Sequence, residues 1–266
     1  PWSLFVNLAA AQRAEYCAYV DLGRFAVCSA SPELFFRLDG LTLTARPMKG
    51  TASRGLTPGD DRRQIDWLRN SEKNRAENVM IVDMIRNDFG RIARTGSVNV
   101  PALFTIERYP TLLQMTSTVT AETTAPLSEI LAATFPCASI TGAPKVGTMR
   151  IIHDLEPEPR GVYTGAIGFI APGRRAQFNV AIRTVTIDRQ RSRAVYGVGS
   201  GVVWDSDARA EYDECLLKAR VLHARPESAA DFQLLESLRW TPDEGYFLLE
   251  RHLQRLRESA EYFNFR

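Results

Sequence analysis

The sequence is poor in cysteine and histidine, with four Cys and three His among its 266 residues. Cys17, Cys28, Cys137 and Cys215 show no C-x-x-C spacing, which excludes the usual zinc motifs and a secreted disulfide framework. Scattered thiols of this kind are typical of a reducing cytoplasm. No signal-peptide core opens the chain, and no apolar run is long enough to span a bilayer. We therefore predict a soluble, cytoplasmic protein without a membrane partner.

An excess of one charge is also lacking, because 33 Lys and Arg stand against 31 Asp and Glu, a formal net charge of +2. Proteins that bind nucleic acids or membrane surfaces usually carry clustered, uncompensated basic residues. The balance therefore argues against both and favours small molecules or proteins as partners. With 45% hydrophobic residues, the chain is long enough to bury a core without help from metals or disulfides.

Two strand-rich blocks separated by helical segments predict an α+β fold of antiparallel sheets with flanking helices. Short alternating runs predict strands at 15–21, 24–29, 34–38, 41–45, 97–100, 114–121, 165–170, 177–187 and 194–203. Helix-like spacing is found at 59–94, 128–135 and 208–224. Asp39-Gly40 suits the two-residue turn of a hairpin.

The composition becomes linker-like at 225–228. The residues that follow predict a strand, a turn at 243–245 and the start of a helix. We therefore divide the chain into a main domain at 1–225 and, at 226–266, a linker with the truncated start of a second domain.

Two helical segments carry carboxylates at spacings that place them on one helix face. Glu77 follows Asn74 by three residues, while Glu214 lies three residues after Glu211 and four before Lys218. Carboxylates that converge from two helices would form a hard oxygen site of the magnesium type. The alternative is solvated helix surface stabilised by i,i+4 ion pairs, which the spacing alone favours.

A Ser/Thr/Gly loop, S-I-T-G-A-P-K at 139–145, precedes a helix-like segment. Free N–H groups at a helix N-terminus suit a carboxylate or phosphate, although an ordinary capped loop explains the pattern equally well. Lys49 in R-P-M-K-G-T precedes Gly50, where a ligand can approach closely. A desolvated lysine can act as a nucleophile, and an exposed turn lysine is the alternative.

Taken in order, these and other segments resemble the chorismate-utilising enzymes, from about residue 4 to residue 222. The segments are S-P-E-L-F-F at 31–36, R-P-M-K-G-T at 46–51, A-E-N-V-M-I-V-D-M-I-R-N-D-F-G-R at 76–91, S-I-T-G-A-P-K at 139–145, Y-T-G-A-I-G at 163–168, F-N-V-A-I-R-T at 178–184 and E-Y-D-E-C-L-L-K-A at 211–219. Several independent motifs in one order make the resemblance specific.

Within that family, the lysine of P-x-K-G-T is typical of aminodeoxychorismate synthases, whereas anthranilate synthases carry alanine. The resemblance implies amination of chorismate to 4-amino-4-deoxychorismate for p-aminobenzoate and folate synthesis, with ammonia from a glutamine amidotransferase subunit. Lys49 would be the covalent nucleophile and Glu33 the general acid/base. Anthranilate, salicylate or isochorismate synthesis on the same fold stays open as an alternative, as does a non-catalytic fragment that binds chorismate or a partner.

The resemblance also implies the binding residues. Glu77 and Glu214 would be direct magnesium ligands, with Glu211 acting through water. The residues expected to contact the substrate or its carboxylate are Thr141, Gly142, Tyr163, Arg183, Gly199, Gly201 and Lys218.

The chain departs from the family pattern at three places. Gln114 stands where many relatives have His, so we expect it to orient a hydroxyl by hydrogen bonding rather than to move a proton. Cys137 and Ala138 replace the usual Gly-Gly, which predicts a stiffer loop, and Asn74 stands where some relatives have an acidic residue. We also expect that the N-terminal part of the family domain is missing ahead of Pro1.

The tail at 232–266 resembles the opening of aminodeoxychorismate lyase, a pyridoxal-phosphate enzyme. In a complete lyase domain Arg255 would match a ligand of the cofactor phosphate. The cofactor lysine would lie beyond Arg266, so no pyridoxal phosphate is expected in this chain. The alternative is a hairpin and helix that pack on the main domain.

Overall fold

The computed structural model describes residues 1–55, 57–109, 112–204, 206–222, 233–263 and 265. Within these residues the strands form a four-stranded sheet, a seven-stranded sheet and a two-stranded hairpin, and all pairs are antiparallel. The strands are β1 Tyr16–Asp21, β2 Phe25–Ser31, β3 Leu34–Asp39, β4 Thr42–Arg46, β5 Met48–Ser53, β6 Asn99–Arg108, β7 Leu112–Glu122, β8 Ala166–Ala171, β9 Arg175–Val180, β10 Thr184–Asp188, β11 Arg193–Tyr196, β12 Trp240–Thr241 and β13 Gly245–Tyr246. The predicted α+β class is confirmed.

The helices flank the sheets. They are α1 Trp2–Gln12, α2 Pro58–Asn70, α3 Glu72–Gly90, α4 Leu127–Thr134, α5 Lys145–Leu155, α6 Ala208–Ala219 and α7 Leu249–Phe263, with short 3-10 turns at Ala138–Ile140 and Arg220–Leu222. Among the described residues, no helix combines the length and the apolar character needed to cross a bilayer.

The chain passes between the two larger sheets at two neighbouring places. The small sheet has the order β1-β2-β10-β11, and the large sheet has the order β5-β7-β4-β3-β9-β8 with β6 also paired to β7. The first crossing joins β2 to β3 and the second joins β9 to β10. The Val180 N–H donates to the Glu33 carbonyl and the Ala30 N–H to the Arg183 carbonyl, both at 3.1 Å. These hydrogen bonds hold the crossings side by side and create the corner where the site lies.

The hydrophobic core lies between α3 and the large sheet. Ile81, Ile85 and Phe89 recur at four-residue spacing on one face of α3. They belong to one buried cluster with Phe36 of β3 and Val119 of β7. This packing fixes α3 against the large sheet, and the backbone of Glu77 on α3 is therefore held in place.

The hairpin predicted at Asp39-Gly40 is confirmed. Asp39 pairs with Thr42 across a two-residue turn, and Gly40 adopts φ 59°. Glycine enters this left-handed region without the steric cost that a Cβ imposes.

The helical pattern predicted at 59–94 is confirmed up to residue 90, where two helices, α2 and α3, occupy the segment and meet at Ser71. Ser71 has extended backbone and its hydroxyl accepts from the Asn74 N–H. A serine that caps a new helix competes with continuation of the old one. The apolar periodicity crosses this boundary and hides it.

Two predicted strands are wrong in extent. The strand predicted at 177–187 is β9 and β10, broken at 181–183, where Arg183 has φ 51°. The strand predicted at 194–203 ends with β11 at Tyr196, and 197–203 form an irregular loop. Of the helix predicted at 208–224, α6 and a 3-10 turn cover 208–222, and the rest lies outside the described residues.

The predicted hairpin and helix of the tail are confirmed as β12, β13 and α7. The Tyr262 hydroxyl donates to the Gly55 carbonyl at 2.6 Å, and the Arg54 guanidinium lies over the Tyr262 ring. The tail thus contacts the segment that precedes α2. The predicted linker at 225–228 lies outside the described residues, and both the domain division and the lyase resemblance stay predictions.

Leu43→Ala should lower the free energy of unfolding by about 2–5 kcal/mol, because Leu43 is 0% exposed in the core. Leu41→Ala is the matched control at 51% exposure, and it should change stability by no more than about 0.5 kcal/mol. Urea unfolding followed by circular dichroism measures both. Equal effects would contradict the placement of the core.

Candidate functional site

Glu33 lies at the first crossing, and it is only 4% exposed. Its N–H donates to the Ser31 hydroxyl at 3.2 Å, while its carbonyl accepts from Val180. The backbone is therefore held at both polar atoms. The carboxylate oxygen Oε1 is buried without a hydrogen-bond partner. A buried oxygen without a partner costs free energy in the folded protein, and it is typical of sites where a ligand binds or a proton is transferred.

Burial raises the pKa of the Glu33 carboxyl, because desolvation disfavours its charged form. The Ser139 hydroxyl, the positive charge of Lys49 and the backbone of Met48 all act in the opposite direction. Groups from the first crossing, from β5 and from the loop before α5 therefore meet at this carboxyl. The charge of Lys49 therefore acts on Glu33, and the catalytic roles of both residues stay predictions.

Lys49 extends from β5 toward the loop at 197–201. A Cβ built on Gly201 would lie 3.5 Å from Lys49 Nζ, so the amine faces backbone at this point. Gly50 has φ 92°, and a Cβ there would lie 3.0 Å from Cβ of Asn74. Glycine at position 50 therefore allows the start of α3 to approach the strand that carries Lys49.

Gln114 uses both ends of its amide within the protein. Its Nε2 donates to the Gly50 carbonyl at 2.8 Å, and its Oε1 accepts from the Thr51 hydroxyl at 3.0 Å. Thr51 is its partner in the β5–β7 register. Gln114 thus orients a protein hydroxyl and fixes the strand beside Lys49, while a contact with substrate stays a prediction.

Tyr163 lies under the irregular loop at 197–201. A Cβ on Gly197 would come within 2.3 Å of the Tyr163 Cγ atom, and one on Gly199 within 2.9 Å of its hydroxyl oxygen. Only glycine lets the loop lie against the ring in this way. Burial raises the pKa of the Tyr163 phenol, so it stays a neutral hydrogen-bonding group near pH 7.

Lys218 and Arg183 meet at the same loop. The Lys218 Nζ donates to the Gly199 carbonyl at 2.8 Å, and Arg183 Nη1 donates to the Lys218 carbonyl at 2.6 Å. Two of the predicted carboxylate-binding side chains, Lys218 and Tyr163, therefore lie at Gly199, and Arg183 is held at the backbone of Lys218. Two of them are basic, as anion binding requires.

The acidic residues of α6 already have partners. Glu214 forms an ion pair with Lys218 at 2.6 Å, and the Glu211 carboxylate accepts from the Ser206 hydroxyl at 2.6 Å. The hydroxyls of Ser206 and Ser200, together with the charge of Lys73 from α3, lower the pKa of Glu211. Lys73 lies at the start of α3, the helix that carries Glu77.

In the part of the chain that the structure describes, no group of three or more His, Cys, Asp or Glu side chains is arranged to hold a metal ion. Glu77, Glu211 and Glu214 come from facing helices, yet the ammonium of Lys218 occupies the Glu214 carboxylate. A magnesium ion does not fit this arrangement unless that ion pair opens. The magnesium site stays a prediction, and we derive no chemical step through it.

The loop before α5 is fixed by its own hydrogen bonds. The Thr141 hydroxyl points back to the Cys137 and Ala138 carbonyls at 3.3 Å. Gly142 has φ 147°, and a Cβ there would lie 2.9 Å from a Thr148 methyl carbon. Substrate contact by Thr141 and Gly142 stays a prediction.

Three polar residues near the site were not among the predicted site residues. Ser139 acts on Glu33, and Lys145 joins the loop to α3 through Asp88 at 3.0 Å. Ser139 and Lys145 lie inside the S-I-T-G-A-P-K motif and Asp88 lies inside the motif at 76–91, so the motifs were the available signal. Only the tertiary fold shows that Asp88 pairs with Lys145.

The chain is similar to known proteins over most of its length. The profile of the family described as chorismate binding enzyme matches residues 1–224. An aminodeoxychorismate synthase of Streptomyces griseus is 44% identical over 84% of this chain and 31% of its own length. An aminodeoxychorismate synthase component 1 of Escherichia coli is 43% identical over 80% of this chain and 47% of its own length. An anthranilate synthase component 1 of Cereibacter sphaeroides is 39% identical over 87% of this chain and 46% of its own length.

Solved structures show the same fold. Anthranilate synthase component I from Streptococcus pneumoniae matches with a TM-score of 0.75 and 34% identity, over 84% of this chain and 49% of that one. The menaquinone-specific isochorismate synthase of Escherichia coli matches with a TM-score of 0.71 and 24% identity, over 82% and 51%, and it supports the fold alone. The chain spans about half, or less, of the length of these relatives. Because the family profile covers most of its residues, the chain belongs to the chorismate binding enzyme family.

Proposed function

We propose that this chain is the chorismate-converting part of an aminodeoxychorismate synthase component 1, which aminates chorismate to 4-amino-4-deoxychorismate. The observation that carries the proposal is the buried carboxyl of Glu33 with an unpartnered oxygen, on which the charge of Lys49 acts. A primary amine beside a carboxyl with a raised pKa is the pair that a covalent substitution needs. The names of relatives that are 43–44% identical support the same product.

In the first step, the Lys49 ammonium loses a proton to solvent, and the resulting amine forms a bond to ring carbon C2 of chorismate. Both ring double bonds shift and the C4–O bond breaks. The hydroxyl departs as water with the proton of Glu33, which becomes a carboxylate. The buried, initially neutral carboxyl suits this donation, because the proton remains bound up to a higher pH than in water.

In the second step, ammonia bonds to C4, both double bonds shift back, and the C2–N bond breaks to release Lys49 as a neutral amine. The new ammonium group returns one proton to Glu33. Chorismate and ammonia thus give aminodeoxychorismate and water. The two displacements avoid a free carbocation, which is the benefit of the covalent route.

Arg183, Lys218 and Tyr163 are proposed to bind the side-chain carboxylate of chorismate. The Arg183 guanidinium has five N–H groups, and its bond to the Lys218 carbonyl uses only one of them. A carboxylate can therefore bind to the rest of the fork. The ammonium of Lys218 can exchange its bond with Glu214 for one with the substrate.

Several relatives are named component 1 of aminodeoxychorismate synthase, which supports a partner subunit. We propose a glutamine amidotransferase that supplies ammonia. Free ammonium replaces that partner in the test of the reaction.

Incubation with chorismate, ammonium chloride and magnesium should yield aminodeoxychorismate, identified by mass spectrometry. The assay should be run with this chain and with a longer chain that contains it, because the match covers only 31% and 47% of the length of two aminodeoxychorismate synthases. Anthranilate as product would favour the activity named for the relative from Cereibacter sphaeroides. Chorismate that binds without turnover in either form would support a binding fragment instead.

Lys49→Ala and Lys49→Arg should both reduce the rate of amination by about 100-fold or more, because each variant lacks the nucleophilic amine. Arginine keeps the positive charge but cannot act as the nucleophile, so the pair separates electrostatic from covalent roles. In the parent, rapid quenching should trap a chain heavier by chorismate minus water. A Lys49→Arg variant that retains the parent rate would contradict the covalent step.

Glu33→Gln should abolish amination and also reduce the pH dependence of stability. The carboxyl pKa is higher in the folded chain than in the unfolded chain. In the window between these values the unfolded chain has already lost the proton, so raising the pH lowers the free energy of unfolding. Glutamine has no such titration, and the variant should be the more stable protein at the alkaline end of the window.

Urea unfolding at a series of pH values measures this difference. Glu158→Gln, at an exposed position, is the matched control and should keep the pH dependence of the parent. If Glu33→Gln behaves like Glu158→Gln, the carboxyl does not have a raised pKa.

We also propose that magnesium binds at Glu77, Glu211 and Glu214, and that chorismate strengthens its binding. A substrate carboxylate that takes the Lys218 ammonium frees Glu214 from its ion pair. By linkage, each ligand must then raise the affinity for the other by the same factor. Isothermal titration calorimetry with magnesium, with and without chorismate, should show tighter binding in the presence of chorismate. Glu214→Gln should remove this difference and Glu158→Gln should not.

A further inference from the structure

We propose that Asn78 and Ser117 are positioning residues: the buried hydrogen bond between their side chains sets the place of α3 against β5, the strand that carries Lys49. The inference deepens the proposed function, since it rests on the role of Lys49 as the nucleophile. Neither Asn78 nor Ser117 is among the predicted site residues, and neither is placed in contact with substrate.

The two side chains meet between α3 and the large sheet. Asn78 of α3 and Ser117 of β7 are both 0% exposed. The Ser117 hydroxyl donates to Asn78 Oδ1 at 2.5 Å, and its oxygen accepts from the Phe104 N–H at 3.2 Å. Because an N–H group can only donate, the single hydroxyl hydrogen of Ser117 is left for Asn78. The neighbouring groups therefore fix the direction of the bond.

Ser117 lies at the point where β7 changes its partner strand. β7 pairs with β4 on one side of this point and with β5 on the other, so Ser117 lies opposite the connection between these two strands. Its N–H donates to the Pro47 carbonyl at 3.2 Å, and Pro47 precedes Lys49 by two residues. Ser117 thus contacts the chain just before β5 through its backbone and α3 through its side chain.

β5 depends on this support because it is an edge strand, and among the described strands it pairs with β7 alone. Next to Lys49 it also contacts α3, since a Cβ on Gly50 would lie 3.0 Å from Cβ of Asn74. Asn74 and Asn78 are four residues apart and therefore lie on the same face of α3. The contact at Gly50 and the hydrogen bond at Ser117 hold that helix face beside Lys49.

The cost of Asn78 indicates a role in position rather than in stability. Its Nδ2 atom is buried without a hydrogen-bond partner, and leucine would fill a similar volume without that cost. Apolar packing is non-directional, so it does not by itself fix where a helix lies along a sheet. A hydrogen bond between two buried side chains has a narrow geometry, and it can specify that place.

A second hydrogen bond holds the other end of the same helix and supplies a matched control. The Thr123 hydroxyl donates to the Ile92 carbonyl at 2.6 Å, where Ile92 follows α3 and Thr123 follows β7. Thr123 is 2% exposed, and it lies about 20 Å from Ser117 at the usual rise of a strand. Thr123→Val therefore removes a buried hydroxyl between the same elements, far from β5.

Hydrogen exchange of the full chain, followed by mass spectrometry, tests the proposal without turnover. The double variant Asn78→Leu with Ser117→Ala removes both partners, so its unfolding midpoint should stay close to that of the parent. The amides of β5 and of the first two turns of α3 should exchange about 10-fold faster or more in this variant. Amides around Thr123 should keep the parent rate, and Thr123→Val should show the opposite pattern.

The proposed reaction supplies a second readout. The double variant should lower kcat of amination by about 10-fold or more with a smaller change in KM, because a displaced nucleophile mainly slows the chemical step. Thr123→Val should keep the parent kcat. Ser117→Thr and Ser117→Val add the same bulk, but only threonine keeps the hydroxyl, so Ser117→Thr should have the higher kcat.

Unchanged exchange of the β5 amides in the double variant would overturn the proposal, and so would a double variant with the kcat of the parent. A loss of kcat in Thr123→Val as large as that in the double variant would also overturn it, because any weakening of α3 would then suffice. If exchange changes as expected but no form of the parent aminates chorismate, the proposed function fails and the hold of α3 on β5 stands.

Discussion

The site depends on one constraint, which is that the chain must cross between two sheets twice at the same corner. Backbone hydrogen bonds from Val180 to Glu33 and from Ala30 to Arg183 tie the two crossings together. One crossing buries Glu33, the proposed acid, and the other carries Arg183, which is proposed to bind a carboxylate. A polar backbone that leaves a sheet has to find new partners, and here each crossing supplies them for the other. Glu33 and Arg183 are therefore positioned by the same contacts.

The near-neutral net charge of +2 is reflected at the candidate site, where basic and acidic side chains are paired with one another. Lys218 pairs with Glu214 and Lys145 with Asp88. A dicarboxylate that binds here exchanges one ion pair for another and does not have to bring charge to an uncompensated surface. Such exchange keeps basic side chains ordered before substrate arrives, and this lowers the entropic cost of binding.

Features that depend on neighbouring residues were predicted correctly from the sequence. The hairpin at Asp39-Gly40 and the strand and turn of the tail are present as expected. The break at 181–183 was missed because Arg183, with φ 51°, carries no glycine or proline signal for it. The loop at 197–201 was wrongly predicted as strand. Its conformation depends on the Tyr163 ring beneath it, and this contact between distant residues is not visible in the local sequence. Likewise, family motifs named Lys49 and Glu33, but only the fold shows that Ser139 acts on the carboxyl.

The burial of Glu33 cannot be explained by stability alone. A structural buried carboxylate normally has both oxygens satisfied, because an unpaired buried polar atom costs free energy. Here Oε1 is left without a partner, although the Ser139 hydroxyl and the backbone of Met48 act on the same carboxyl. The residue therefore combines rigid support with one unsatisfied oxygen. A protein retains that combination where the missing partner arrives with the substrate, and this places the acid of the proposed reaction at the corner between the sheets.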